Sequence, residues 1–131
     1  MTDPPPPQLR IAEFAFPGEL RDRLVAAILS GEKTATTGLL VDYQRDGEPL
    51  PHIGERFCVV DSSGVPVAVI EIEDVAVVDL ADVNLATARA EGEGFLSIAE
   101  WRDAHEAFWN SYADEHLSDE THVVVERFRL A

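Results

Sequence analysis

The sequence predicts an α+β domain, a small mixed β-barrel with helices packed around it. Two observations carry that expectation. The predicted elements run helix, several strands, two helices, strand, and neither an internal repeat nor an alternating strand–helix–strand pattern points to a parallel sheet. The chain has 131 residues, 46% of them hydrophobic, which suits one domain burying about two thirds of its unfolded surface.

Residues 1–10 form a proline-rich tail, expected to be extended and outside the core, and residues 11–131 the folded domain. Ile11, Phe14 and Phe16 bring the chain into that domain. Pro17 suits a first helical turn, and Leu20, Leu24, Ala27 and Ile28 share a helix face, with Gly31 as the terminating glycine. A strand-like stretch follows. Gln44 to Pro49 reads as a turn-rich connection, because Pro49 and Pro51 exclude a continuous central strand. A strand runs from Gly54 through Phe57, Val59 and Val60, and Asp61 to Gly64 turns the chain back. Val65 to Leu80 alternates in part and reads as one long bent strand or two short ones. A short helix fits residues 82–90. Ser97 and Glu100 make a capping box for a helix reaching about Tyr112, and His122 to Leu130 is the last strand.

Composition excludes several classes. No apolar run approaches the roughly 18 to 20 residues that span a bilayer, and the N-terminus lacks the basic start and apolar core of a signal peptide. The single cysteine, Cys58, excludes an internal disulfide and fits a reducing cytoplasm; in an apolar run it reads as a small core residue. The net charge of −15 argues against strong non-specific binding to nucleic acid, which demands a basic face. Oligomeric state is not legible.

The positive charge is distributed unevenly: nine arginines and one lysine, Lys33. Arginine keeps its proton near neutrality, whereas desolvation can push a lysine toward the neutral amine. Lys33 lies in Gly31-Glu32-Lys33-Thr34-Ala35-Thr36-Thr37, on the turn between the first helix and the first strand-like stretch. On an extended strand it shares a face with Thr37; on a helical turn, with Thr36 and Thr37. As a neutral amine it would activate a threonine hydroxyl, and as a cation it would stabilise an oxyanion or a phosphorane. A second cluster, Glu91-Gly92-Glu93-Gly94, sets two carboxylates on one side if the segment is extended; by itself it reads first as an acidic loop between two helices. The four histidines show no metal-ligand spacing, so neither a metal nor a cofactor is expected. His105 reads as a satisfied helix-face residue, beside Trp101, Phe108 and Trp109 as core.

These pieces together resemble the ASCH domain family, whose fold is similar to the PUA barrel. The resemblance rests on Ile28-Leu29-Ser30-Gly31, Glu32-Lys33-Thr34-Ala35-Thr36, Gly47-Glu48-Pro49-Leu50-Pro51 with Ile53-Gly54, Ala90-Glu91-Gly92-Glu93-Gly94, Ser97 with Trp101 and His105, and Val125-Glu126-Arg127-Phe128. It covers about Phe14 to Leu130. It implies a cleft for a nucleoside or single-stranded RNA. Some relatives are amidohydrolases of N4-acetylcytidine that use a lysine, a threonine and a glutamate; others are reported as ribonucleases, and many only bind RNA. The catalytic pattern falls on Lys33, Thr36 and Glu93, with Glu91 as the competing carboxylate. Thr34, Thr37, Glu91 and Arg127 are then the candidates for substrate contact. Shorter relatives carry an arginine where this chain has Gly38, and Arg127 is the candidate to replace it.

Overall fold

A computed structural model describes residues 9–131; the expected extended tail lies outside them, save its last two residues. Arg10 is one of these, and it already belongs to a strand. The described elements are β1 (Arg10–Ala12), α1 (Glu19–Ser30), β2 (Ala35–Leu39), α2 (Leu40–Asp46), β3 (Arg56–Val60), β4 (Pro66–Asp79), a 3-10 turn (Leu80–Asp82), α3 (Leu85–Ala90), α4 (Ile98–Asn110) and β5 (His122–Leu130). The strands make one sheet in the order β1-β3-β4-β5-β2. β1 runs parallel to β3, and every other pair is antiparallel. The expected barrel thus takes the form of an open mixed sheet: its edges, β1 and β2, share no ladder among the described residues.

The long apolar stretch is the single strand β4. Its ladder with β5 slips between Ile72 and Asp74, so Glu73 is an extra residue opposite the Arg127–Phe128 step. Such a bulge bends a strand and increases its twist. α1 begins at Glu19, two residues beyond Pro17, and ends at Gly31 in the left-handed conformation with φ 85°. Two expectations need correcting. Residues 44–46 are not loop but the end of α2, closed at Gly47. None of its residues is fully buried, and its leading Leu40 and Val41 extend the strand-like pattern, so no helical stripe marks it. Cys58, expected in the core, is only half-buried in β3.

Two apolar clusters hold the layers together. One joins α1 to the sheet through Leu24, Ile28, Phe57, Ile70 and Phe128. The other gathers Leu39, Leu80, Trp101, Trp109 and Val123 beneath α3 and α4. Ser97 caps α4 by accepting from the Glu100 amide at 3.1 Å, while the Glu100 carboxylate reaches back to the Leu96 amide at 2.9 Å. No helix among the described residues is long and apolar enough to cross a membrane.

Candidate functional site

Between the two clusters lies a cavity of about 600 Å³, a size that suits a small organic ligand. Its wall takes Lys33, Thr36 and Thr37 from the turn into β2, Glu91 and Glu93 from the loop after α3, His105 from α4, and Glu126 from β5.

The lysine turn and the glutamate loop are fastened to each other by backbone. The Thr34 amide donates to the Ala90 carbonyl at 2.7 Å, and the Lys33 amide to the Ala27 carbonyl at 3.0 Å. Gly92, at φ 74°, packs flat on this turn: a Cβ there would meet Glu32 and Lys33 backbone atoms at 2.8 Å. Only glycine combines that conformation with that approach.

Lys33 is 2% exposed. Its Nζ donates to the carbonyls of Ala35 (2.8 Å) and Glu91 (3.3 Å) and stands 3.8 Å from Glu91 Oε1. Burial depresses its pKa from the usual lysine value, against the opposing pull of Glu91, Glu93 and Glu126. Glu91 is equally buried. Its Oε2 accepts from Thr37 Oγ1 at 3.2 Å and from the Trp101 indole, and its Oε1 faces His105 Nε2 at 3.0 Å. Burial pushes this carboxyl upward, but the hydrogen bond and charge of His105, then Lys33 and Trp101, outweigh it and hold Glu91 below the ordinary range.

His105 also sets Nδ1 at 2.8 Å from the Trp101 carbonyl. A carbonyl only accepts, so Nδ1 bears a proton, and a second proton lies between Nε2 and Glu91. Glu91 is thus balanced by His105 and satisfied by three donors without calling on the lysine. A neutral Lys33 has two N–H bonds for its two carbonyl acceptors and keeps its lone pair free.

Glu93 sits at the exposed rim, yet its carboxyl is partly desolvated. That raises its pKa, opposed by Lys33 and reinforced by Glu91. The two loop carboxylates therefore divide: Glu91 is fixed on all sides, and Glu93 retains a proton more readily. One ligand atom each of Glu91, Glu93 and His105 fall within 4.8 Å of one another, a spacing a metal ion tolerates. The Glu91 oxygens, however, already face proton donors, which an ion would have to displace. Within the grouping, Glu91 and His105 are hydrogen-bonded to each other.

The other sequence candidates separate. Thr36 lines the cavity, and Thr37 is tied to Glu91. The Thr34 side chain is outside the cavity wall, while its backbone bridges Ala90 and Phe128. Arg127 is also outside that wall and donates to Thr87 Oγ1 at 3.2 Å. The arginines that reach the cavity are Arg10 and Arg23. Gly38 leaves room for Tyr43, whose ring would lie 3.8 Å from a Cβ at that position. His105, expected as a satisfied helix-face residue, has partners at both ring nitrogens but also faces the cavity carboxylate, and its ring stacks on Trp101 at 4.2 Å between centroids. The four-residue spacing of those two aromatics on one helix was the available signal.

The family model described as the ASCH domain matches residues 11–131, almost the whole chain. The chain belongs to the ASCH domain family. Solved structures agree in fold. An ASCH domain from Lactobacillus crispatus JV V101 is 31% identical, over 84% of this chain and 71% of that one, with a TM-score of 0.75. A protein from Enterococcus faecalis V583 is 26% identical, over 98% of this chain and 78% of that one, with a TM-score of 0.80. No match was found among the curated proteins. In this ASCH domain the lysine turn and the glutamate loop converge.

Proposed function

We propose that this ASCH domain is a metal-independent hydrolase directed at a nucleoside or RNA, most specifically at the exocyclic amide of an acylated pyrimidine nucleoside such as N4-acetylcytidine. The observation that supports it is the desolvated Lys33 amine beside a Glu91 already balanced by His105. That environment favours a neutral lysine, the form that acts as a base. A neutral substrate also suits the net charge of −15 better than a polyanion does.

In the proposed cycle Lys33 takes the Thr36 hydroxyl proton as Thr36 Oγ1 attacks the amide carbonyl. The C–N bond then breaks, and protonated Glu93 supplies the proton for the departing amine. Water attacks the resulting threonyl ester and gives its proton to Glu93. Lys33 returns its proton to Thr36 as the carboxylic acid leaves, so both groups end as they began. Glu91 positions the lysine and the Thr37 hydroxyl throughout.

A product assay on N4-acetylcytidine and on single-stranded RNA, with wild type and Lys33→Arg, tests this. Cytidine and acetate from wild type alone are expected, because arginine preserves the charge but accepts no proton. RNA cleavage that survives in Lys33→Arg and falls steeply with salt would instead make Lys33 a fixed cation of a ribonuclease. Binding of either compound without product would make the domain a recognition module.

A further inference from the structure

The proposed cycle leaves one acidic group in the cavity unused. Glu126 of β5 stands directly opposite Thr36 of β2 in an antiparallel ladder. Directly paired residues project to the same face with Cβ atoms about 5 Å apart. Glu126 and Thr36 both line the cavity, and Tyr43 and Arg10 line it beside them. Nothing in the deacylation steps calls for a carboxyl at this place.

We propose that Glu126, as its neutral acid and together with the Tyr43 phenol, is the subsite that reads the donor–acceptor edge of a cytosine-type base. A carboxylic acid donates through its O–H and accepts through its C=O, side by side. Cytosine and its N4-acyl derivatives present the complement, a ring nitrogen that accepts next to an exocyclic N–H that donates. Uracil reverses the ring position and presents a donor there. The pairing across the ladder places this reader opposite the Thr36 nucleophile. The inference deepens the deacylase reading and rests on it.

The charges around Glu126 fit this assignment. Burial raises its pKa to about 7, more than the hydrogen bond from Tyr43 and the charges of Arg10 and Lys33 lower it, and Glu55 adds to the rise. Its β4 neighbour in the ladder, Val75, is apolar. The acid form is therefore well populated at neutral pH, whereas an ordinary glutamate would be ionised.

The test is equilibrium binding of cytidine, which has the same edge and is not turned over, to wild type, Glu126→Gln and Glu126→Leu. For a single group near pH 7 that must be protonated, affinity falls about tenfold between pH 6 and pH 8. Wild type is expected to show that fall. Glu126→Gln keeps one donor and one acceptor with no titration, so its affinity should stay flat over the same range. Uridine and 3-deazacytidine, each lacking the ring acceptor, should bind wild type at pH 6 at least tenfold more weakly. The same fall with pH in Glu126→Gln, equal affinity for 3-deazacytidine, or no cytidine binding by wild type would each overturn the proposal. Glu126→Leu should lose cytidine; should it fail to fold, the glutamine variant and the ligand series decide. The product assay fails separately: these binding hallmarks without deacylation would sink the hydrolase reading and leave the subsite standing.

Discussion

Gly92 lies on Lys33: a methyl group at its α-carbon would stand 2.8 Å from the lysine Cα and from the Glu32 carbonyl. The loop that carries Glu91 and Glu93 is thereby set against the turn that carries the amine, with no side chain between them. The site is a docking of two backbones, and its precision depends on one missing Cβ.

Replacing Gly92 by alanine should therefore cost more than an ordinary glycine substitution. Positive φ and backbone overpacking together predict a loss of about 3 kcal/mol, against about 1 kcal/mol for Gly94→Ala. Gly94 has φ 79° with nothing within 4 Å, so it isolates the conformational part. Chemical denaturation of both variants checks the difference. Equal costs would mean that the loop shifts freely.

His105 should set the pH at which the lysine works. In His105→Phe the Glu91 carboxylate loses its hydrogen-bond partner on the ring, so its field falls on Lys33 and stabilises the ammonium. The lysine pKa rises, and the acidic limb of kcat/KM against pH moves to higher pH. An unchanged limb, with a lower plateau alone, would show that His105 does not act through the lysine.

Glu126→Gln should change stability in a pH-dependent way. A carboxyl with a folded pKa of about 7, against the usual 4.5, binds more protons folded than unfolded. Wild-type stability from this group therefore falls as pH rises from 4.5 to 7 and levels off above. The neutral glutamine escapes that loss, so the variant should gain on the order of 2 kcal/mol over wild type at pH 8. At pH 4.5 the gain should vanish. Urea melts at the two pH values read it.

Arg21 is 3% exposed and gives its guanidinium to three backbone carbonyls, those of Phe14 (3.2 Å), Ala15 (2.8 Å) and Asp61 (3.3 Å). Ala15 is held at φ 60°, an unfavourable place for a residue with a Cβ. Arg21→Met should strand these acceptors and release the segment that lines the cavity, costing about 3 kcal/mol. Thermal denaturation measures it. A loss under about 1 kcal/mol would mean that water replaces the guanidinium readily.

Much of this was readable in the residues. Helix ends announce themselves through local chemistry, so Gly31 and the Ser97–Glu100 box placed α1 and α4 within a few residues. Lys33 stood out by being the one amine in a chain of arginines. What escaped was whatever depends on partners far along the chain. α2 carries no buried stripe, β1 is three residues long, and its pairing with β3 is invisible before the chain folds. The choice between Glu91 and Glu93 turned on Trp101 and His105, residues 10 and 14 positions beyond Glu91. Arg127 illustrates the reverse. It shares a strand with Glu126, but neighbours on a strand face opposite ways, so one reaches the cavity and the other meets Thr87.

The burial of Lys33 has a use outside catalysis. It is the single side-chain amine in the sequence, so an amine-directed acylating reagent has one lysine to find, and reaches it through the cavity whose wall it forms. The rate of acylation at Lys33 is then a clock for access to that cavity. A ligand seated in the cavity would slow the clock, reporting occupancy with no turnover and no added label.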